Sequence, residues 1–224
     1  GYGKTVLMST VHREMLRRGM RCLWVALDDR DTDLRSLLFR LREALVDAGV
    51  ELREEMAGPR VAFHDQAAPF DAMVRLLSGL SKTDILFIDN LGECRDPELR
   101  PFLDRLVFGN SEGLRLVLSS TSEVPLDLSR AKLEVGALEI GARHLSLDRD
   151  GVSALLERAG VTPLRDADLD RIIVRTEGWA AAVRLVQVLL ASEGEGVAGD
   201  AGSQVGATLD SFGGDQGDMA RVLT

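Results

Sequence analysis

The sequence predicts an α/β fold, a parallel sheet flanked by helices, followed by a small all-α subdomain. Three observations carry this. Short apolar runs (RCLWVAL, DILFIDN, LRLVLSS) alternate with stretches of helical periodicity. Strands that alternate with helices pair in parallel, and because both their faces are covered they read as continuous apolar runs. Beyond about Leu145 the pattern is helical, with no strand interposed. Aromatic residues make up only 4% of the 224, beside 45% hydrophobic and 28% charged, which suits an α/β protein better than an all-β one.

Taken in order, Thr5 to Arg18 reads as a helix, with Leu7, Val11 and Met15 on one side and Gly19 as its stop. Arg21 to Leu27 is a strand ending in Asp28-Asp29. From Leu34, LRSLLFRLREALVDAG places Leu34, Leu37, Leu38, Leu41 and Leu45 on one face, and Asp31-Thr32-Asp33 supplies N-cap candidates. Residues 49–69 are irregular, punctuated by Gly58-Pro59 and Pro69. PFDAMVRLLSGLS is a helix, Asp84 to Asn90 a buried strand, and Pro97 to Val107 a helix. Leu114 to Ser120 is a third strand, and Leu138-Glu139-Ile140 a short candidate for a fourth. DRDGVSALLERAG and DADLDRIIVRTEGWAAAVRLVQVLLAS then supply the helical subdomain. The stretch from Ser192 to Asp218 is rich in Gly, Asp and Ser and reads as a solvated linker.

Several function classes are disfavoured by composition. The formal net charge of −9 argues against a grip on nucleic acid, which needs clustered Lys and Arg on phosphates. No apolar run has the length of a membrane span, so no membrane partner is expected. Cys22 and Cys94 lie far apart without metal spacing and read as buried thiols of a cytosolic protein. His12, His64 and His144 form no ligand pair.

The chemistry sits at the very start, in GYGKTVLMST. Gly3-Lys4-Thr5 matches the end of a phosphate-binding loop, G-x-x-x-x-G-K-[ST], with Gly1 and Tyr2 as its fourth and fifth positions. Such a loop works because successive backbone N–H groups and a helix N-terminus point at the anion. Glycine allows close approach, the Lys places a charge on the β- and γ-phosphates, and the Thr hydroxyl ligates Mg²⁺. ILFID, 85 residues after Lys4, ends in Asp89, and an acid at the end of a neighbouring parallel strand can hold Mg²⁺ through water. Asp28, ending the strand before, is a further candidate there or else a helix cap. Trp24 has two readings, a nucleotide-facing ring or core. Arg143 and His144 are candidates for a phosphate and a base contact, against plain surface roles.

These segments resemble the MalT-like branch of the STAND NTPases, large ATP-dependent regulators that often carry a LuxR-type DNA-binding domain at their far end. GYGKTVL is similar to that branch's GYGKTTL loop, LWVALDDRDTD to its W-x-x-L-D-x-x-D-x-D segment, and DILFIDN to its Walker B strand. LRLVLSSTSEVPLDLSRAK is similar to its third strand and following loop, RTEGWAAAVRL to its T-E-G-W helix, and SFGGDQGDMARVL to its exit from the NTPase module.

The resemblance implies that the chain is a fragment whose first strand and loop front lie upstream. Residues 1–144 are then the P-loop NTPase α/β domain, 145–191 the helical subdomain, 192–218 the linker and 219–224 the start of a further element. It implies an ATP-binding switch module with ATP or ADP and Mg²⁺ as cofactors, in the cytoplasm. Nucleotide state would control self-association, and DNA would be bound only by a domain outside this chain. The implied nucleotide-binding residues are Gly1, Tyr2, Gly3, Lys4, Thr5, Val6, Asp28, Gly178 and Trp179. Thr5 and Asp89 are the implied Mg²⁺ ligands, and Asp89 with Asn90 the catalytic candidates.

Three departures bear on turnover. Where the family carries a second acid after the Walker B Asp, this chain has Asn90, which cannot accept a proton. The family's γ-phosphate-sensing Arg is replaced by Thr121, and the Pro after Gly-Trp by Ala180, which also occurs in the family. Losing a transition-state cation costs rate more than ground-state binding. The expectation is therefore at most a slow ATPase. Two alternatives remain at this stage: a P-loop ATPase with an Arg from a neighbouring subunit, and a scaffold that binds no nucleotide.

Overall fold

In the computed structural model, the residues described are 3–52, 67–81, 83–109, 114–161 and 164–193. They divide into two compact units, Lys4–Glu139 and a second made of Gly3 and the described residues from Ile140 onward.

The first unit is built on a three-stranded parallel sheet in the order β1-β2-β3, where β1 is Arg21–Ala26, β2 Asp84–Asp89 and β3 Arg115–Leu118. Arg21 aligns with Asp84 and Ala26 with Asp89, while Ile85 aligns with Arg115 and Ile88 with Leu118. The alternation of side chains along a strand sorts the apolar residues onto two faces. Leu23 and Val25 of β1, with Leu86 and Ile88 of β2, join one core. That core is completed by helices α2 (Leu34–Asp47), α3 (Ala67–Ser78) and α4 (Leu99–Phe108). Cys22, Trp24, Ile85, Phe87 and Val117 face the other way, onto Met8, Val11 and Met15 of α1 (Lys4–Arg17). Every residue of β2 is buried, as expected of a central strand covered on both faces.

Trp24 belongs to this second core. Its ring stacks on Phe87 with centroids 5.6 Å apart, and His12 of α1 meets both rings edge-on at 5.2 Å. The α2 helix starts where its sequence said it should: Asp33 is the N-cap and accepts a 2.8 Å bond from Ser36 N–H. A further short helix, α5 (Leu128–Glu134), was not legible from periodicity; Asp127 caps it.

Leu138–Ile140 does not form a fourth strand. The segment has no strand partner among the described residues, and Leu138 is 85% exposed. Alternating apolar residues become a strand only when a neighbour takes up their backbone N–H and C=O groups.

In the second unit the described residues hold α6 (Ala142–Leu145), α7 (Arg149–Glu157), α8 (Asp166–Thr176) and α9 (Ala180–Glu193). Val152 and Leu156, Leu169 and Ile172, and Val183, Val186 and Leu190 bring one face of each of the last three together. Arg149 ties α7 to the first two turns of α8 through Asp166, at 2.8 Å, and Asp170. The run from Asp166 to Ser192 is not one helix. Glu177 and Gly178, with φ of +50° and +69°, break it, because two successive left-handed residues reverse the backbone. The expected linker and end element, apart from the last turn of α9, lie outside the described residues, as do Gly1, Tyr2 and most of 49–69.

At the amino end of the sheet, Arg21 binds Asp84 through two bonds, Nε at 3.0 Å and Nη2 at 2.6 Å. Burial pushes the Asp84 carboxyl up, but the bonds from Arg21, the Ser81 N–H and the Arg21 charge outweigh it and leave it below the ordinary value. A depressed carboxylate contributes stability that is present above its unfolded pKa, about 3.9, and is lost as pH falls through the folded value. Arg21→Ala is expected to cost about 1–2 kcal/mol near neutral pH, the half-exposed guanidinium tempering the full buried-pair penalty. Urea melts from pH 6 to pH 3 should show a shallower acid-side loss in Arg21→Ala than in the wild type.

Candidate functional site

The carboxyl ends of β1, β2 and β3 meet the N-terminus of α1 at one residue, Asp89. It is the last residue of β2 and is 2% exposed. A carboxylate so buried needs donors, and it has three. Thr5 Oγ1, in the first turn of α1, donates to Asp89 Oδ2 at 2.8 Å. Ser119 Oγ, just past β3, donates to Oδ1, and the Asn90 N–H reaches the same oxygen at 3.1 Å. Thr5 and Asp89 are thus brought together across 84 residues of chain.

Gly3 precedes α1 with φ of +82°, a conformation that L side chains rarely adopt. Lys4 is half-buried and, among the described residues, makes no ion pair. Val6 is 69% exposed.

Asn90 serves the fold. It sits in the left-handed region (φ 58°, ψ 37°), which asparagine tolerates better than most residues. Its side-chain amide donates to Leu27 O at 3.4 Å, and Leu27 N–H in turn donates to Asp89 O at 3.0 Å. These bonds carry the β1–β2 ladder one step past its last aligned pair. The amide that stands where a second acid was expected therefore faces a carbonyl.

Asp28 accepts from Arg30 N–H at 2.9 Å and pairs with Arg40 at 3.4 Å. Arg40 is shared with Asp31, which is 5% exposed and receives Arg40 Nε on both oxygens at 3.2 Å. Asp28 is thus part of a loop brace after β1, with no bond to Asp89 or Thr5 among those described. Thr121 is exposed in the loop after β3.

Gly178 and Trp179 lie in the second unit, and their neighbours there are its own. A Cβ on Gly178 would overlap Leu147 O and lie 3.1 Å from Leu147 N, whose N–H donates to Gly178 O at 2.8 Å. The close backbone approach that this glycine permits is to the start of α7. Trp179 is half-buried, and its N–H bonds Thr176 O at 2.8 Å. His144 Nδ1 accepts from Gly141 N–H at 3.0 Å, a local cap of α6, and Arg143 is exposed.

Sequence reading missed Ser119. One signal was available, a hydroxyl directly after the apolar run of the strand beside β2; the following Ser120, Thr121 and Ser122 hid which hydroxyl turns inward. No group of His, Cys, Asp and Glu suited to a metal was found among the described residues. The Thr5–Asp89 pair is a hydroxyl and a single carboxylate, donors that fit a Mg²⁺ ion held largely through phosphate and water. Also among the described residues, no helix is long and apolar enough to cross a membrane.

No protein-family model matches the chain. It is similar to the serine/threonine-protein kinase PknK of Mycobacterium tuberculosis, 27% identical over 198 residues. That alignment spans 87% of this chain and 18% of the relative, and PknK of Mycobacterium bovis aligns equally. The HTH-type transcriptional regulator MalT of Yersinia enterocolitica is 23% identical over 188 residues, 83% of this chain and 20% of that protein. The chain therefore spans about a fifth of the length of these curated relatives, and the similarity is distant.

Three substitutions test the assignments by stability. Gly178→Ala should cost roughly 2 kcal/mol or more, from left-handed strain and the collision with Leu147, whereas the neighbouring Glu177→Gly should gain up to about 1 kcal/mol. Denaturant midpoints of opposite sign are the expected result. Asn90→Asp, which would install the second acid, should lower stability by about 1 kcal/mol, since a carboxylate cannot donate to Leu27 O; thermal melts at pH 7 measure it.

Proposed function

We propose that this chain is the ATP-binding switch module of a MalT-like STAND regulator, in which nucleotide state controls self-association. DNA binding would belong to a domain outside this chain, in keeping with its net charge of −9. The observation that carries the reading is the 2.8 Å bond from Thr5 to a buried Asp89, which joins a Gly-Lys-Thr helix start to the end of the adjacent parallel strand. Lys4, unpaired among the described residues, stands beside it at the same helix start. The distant similarity to a transcriptional regulator and to PknK supports a regulatory module of this general kind.

On this reading Gly3, Lys4 and the first N–H groups of α1 hold the β- and γ-phosphates. Thr5 and Asp89 hold Mg²⁺, which when bound supplies charge neutralisation between the phosphates. Asp89 keeps its carboxylate aimed at the phosphates through the bonds it receives from the sheet.

Crossover handedness supports the same arrangement. The steps from β1 to β2 and from β2 to β3 run the same way across the sheet, with α2, α3 and α4 on one face. Because α1 lies on the opposite face, a right-handed crossover through it must run the other way. A strand leading into Gly3 would then lie beyond β3, along the edge that has no partner among the described residues. Its carboxyl end would lie beside the end of β3, one strand away from Asp89, where the reversal of winding opens a ligand crevice.

The test is calorimetric titration of Mg²⁺-ATP and Mg²⁺-ADP into protein carrying its natural upstream residues, beside Lys4→Ala. Binding should weaken by about 10-fold or more in Lys4→Ala, the worth of one charged hydrogen bond. Phosphate release followed on the same samples should stay below about 10⁻² s⁻¹. Absence of binding by the wild type would overturn the reading, and fast turnover would replace the switch with an ATPase.

A further inference from the structure

We propose that Ser119 is a positioning residue that orients the Asp89 carboxylate toward the N-terminus of α1. The inference rests on the nucleotide-binding reading and adds a residue to its cation site.

Ser119 is 6% exposed and follows β3 directly. Its backbone is fixed on both sides to the exit of β2: Ser119 N–H donates to Ile88 O at 2.9 Å, and Leu91 N–H donates to Ser119 O at 2.8 Å. The hydroxyl therefore has a fixed origin relative to Asp89. It gives its one proton to Asp89 Oδ1 and accepts the Asn90 N–H at 3.3 Å. The loop beyond it passes close to Gly92 of the segment after β2, where a Cβ would lie 2.7 Å from Ser120 Oγ.

The consequence is a division of labour between two oxygens. Oδ1 is held by the sheet, through Ser119 and Asn90, and Oδ2 is left to face Thr5. A carboxylate turns about its Cβ–Cγ bond with little resistance. With Oδ1 pinned, Oδ2 keeps its direction without being ordered anew when a cation arrives. Asn90 N–H alone, 3.1 Å away and shared with Ser119, is a weaker anchor. Ser119 touches neither phosphate nor cation in this role and acts only through Asp89.

The experiment titrates ATP and ADP into the full-length protein, once in EDTA and once in Mg²⁺, for the wild type, Ser119→Ala and Ser119→Thr. The quantity read is the ratio of the two dissociation constants, the Mg²⁺ enhancement. Ser119→Ala should lower that enhancement about tenfold, the usual effect of losing a partner that orients a metal ligand. Its metal-free affinity should stay within about twofold of wild type, and Ser119→Thr, which keeps the hydroxyl, should restore the enhancement. A wild-type enhancement in Ser119→Ala overturns the proposal. So does an equal fall of metal-free and Mg²⁺-supported binding that Ser119→Thr fails to rescue, since that is general structural damage. A wild type that binds nucleotide in neither condition overturns the nucleotide reading itself, a result distinct from the failure of Ser119 alone.

Discussion

One carboxylate, taken out of water, constrains the rest of the first unit. Asp89 is 2% exposed, and its donors come from the start of α1, the end of β3 and its own neighbour. Hydrogen bonds to a charged acceptor are each worth about 1.5–3 kcal/mol, and a buried carboxylate left without them would cost several. The register of both strand pairs and the docking of α1 must therefore agree to within tenths of an ångström at this one side chain. The same agreement is visible nearby: Asn90 bridges to Leu27, Leu91 to Ser119, and Arg95 N–H reaches Thr32 O at 2.9 Å. The loops after β1, β2 and β3 are laced to one another, so the carboxyl end of the sheet behaves as one assembly.

How much of this could be read from sequence follows from the range of each signal. The three strands were legible because each is a short run of apolar β-formers, and the central one, β2, is buried at every position. The Leu periodicity of α2 and the Asp33 cap are likewise local, and sequence carries local information well. Leu138–Ile140 misled because alternation records the preference of a strand and not the presence of its partner. The break at Glu177-Gly178 was hidden for a different reason. Only the glycine signals it, and the collision that makes it a glycine is with Leu147, thirty-one residues earlier. Thr5 and Asp89 could be paired from sequence because each carries a motif. Ser119 carries none, and its role depends on a strand register that places it beside Asp89.

Asn90 shows how a departure from an expected pattern can be spent on the fold. Read as chemistry it is a missing acid. In place, its left-handed backbone directs an N–H to Asp89 while its amide closes the β1–β2 ladder at Leu27. An aspartate at this position would bring a second carboxylate beside a buried one and lose the donor. The substitution is therefore consistent with a site in which holding Asp89 still matters more than moving a proton.

The cations around the sheet's carboxyl end point the same way. Electrostatic acceleration requires charges that are already in place when the transition state forms. Arg40 is in place, but Asp31 and Asp28 hold it. Arg30 and Arg95 lie on the loops after β1 and β2 and are exposed, with no side-chain ion pair to fix them among the described residues. Thr121, where a sensing arginine was expected, brings no charge. Each loose guanidinium would have to be ordered at the moment of reaction, at roughly 2 kcal/mol of side-chain freedom, before it could contribute. The groups that are preorganised, Thr5 and Asp89, with Ser119 fixing the latter, are those that would hold a cation in the ground state. On the proposed reading, such a site favours a long-lived bound state over rapid turnover, because its fixed interactions are made equally before and during the reaction.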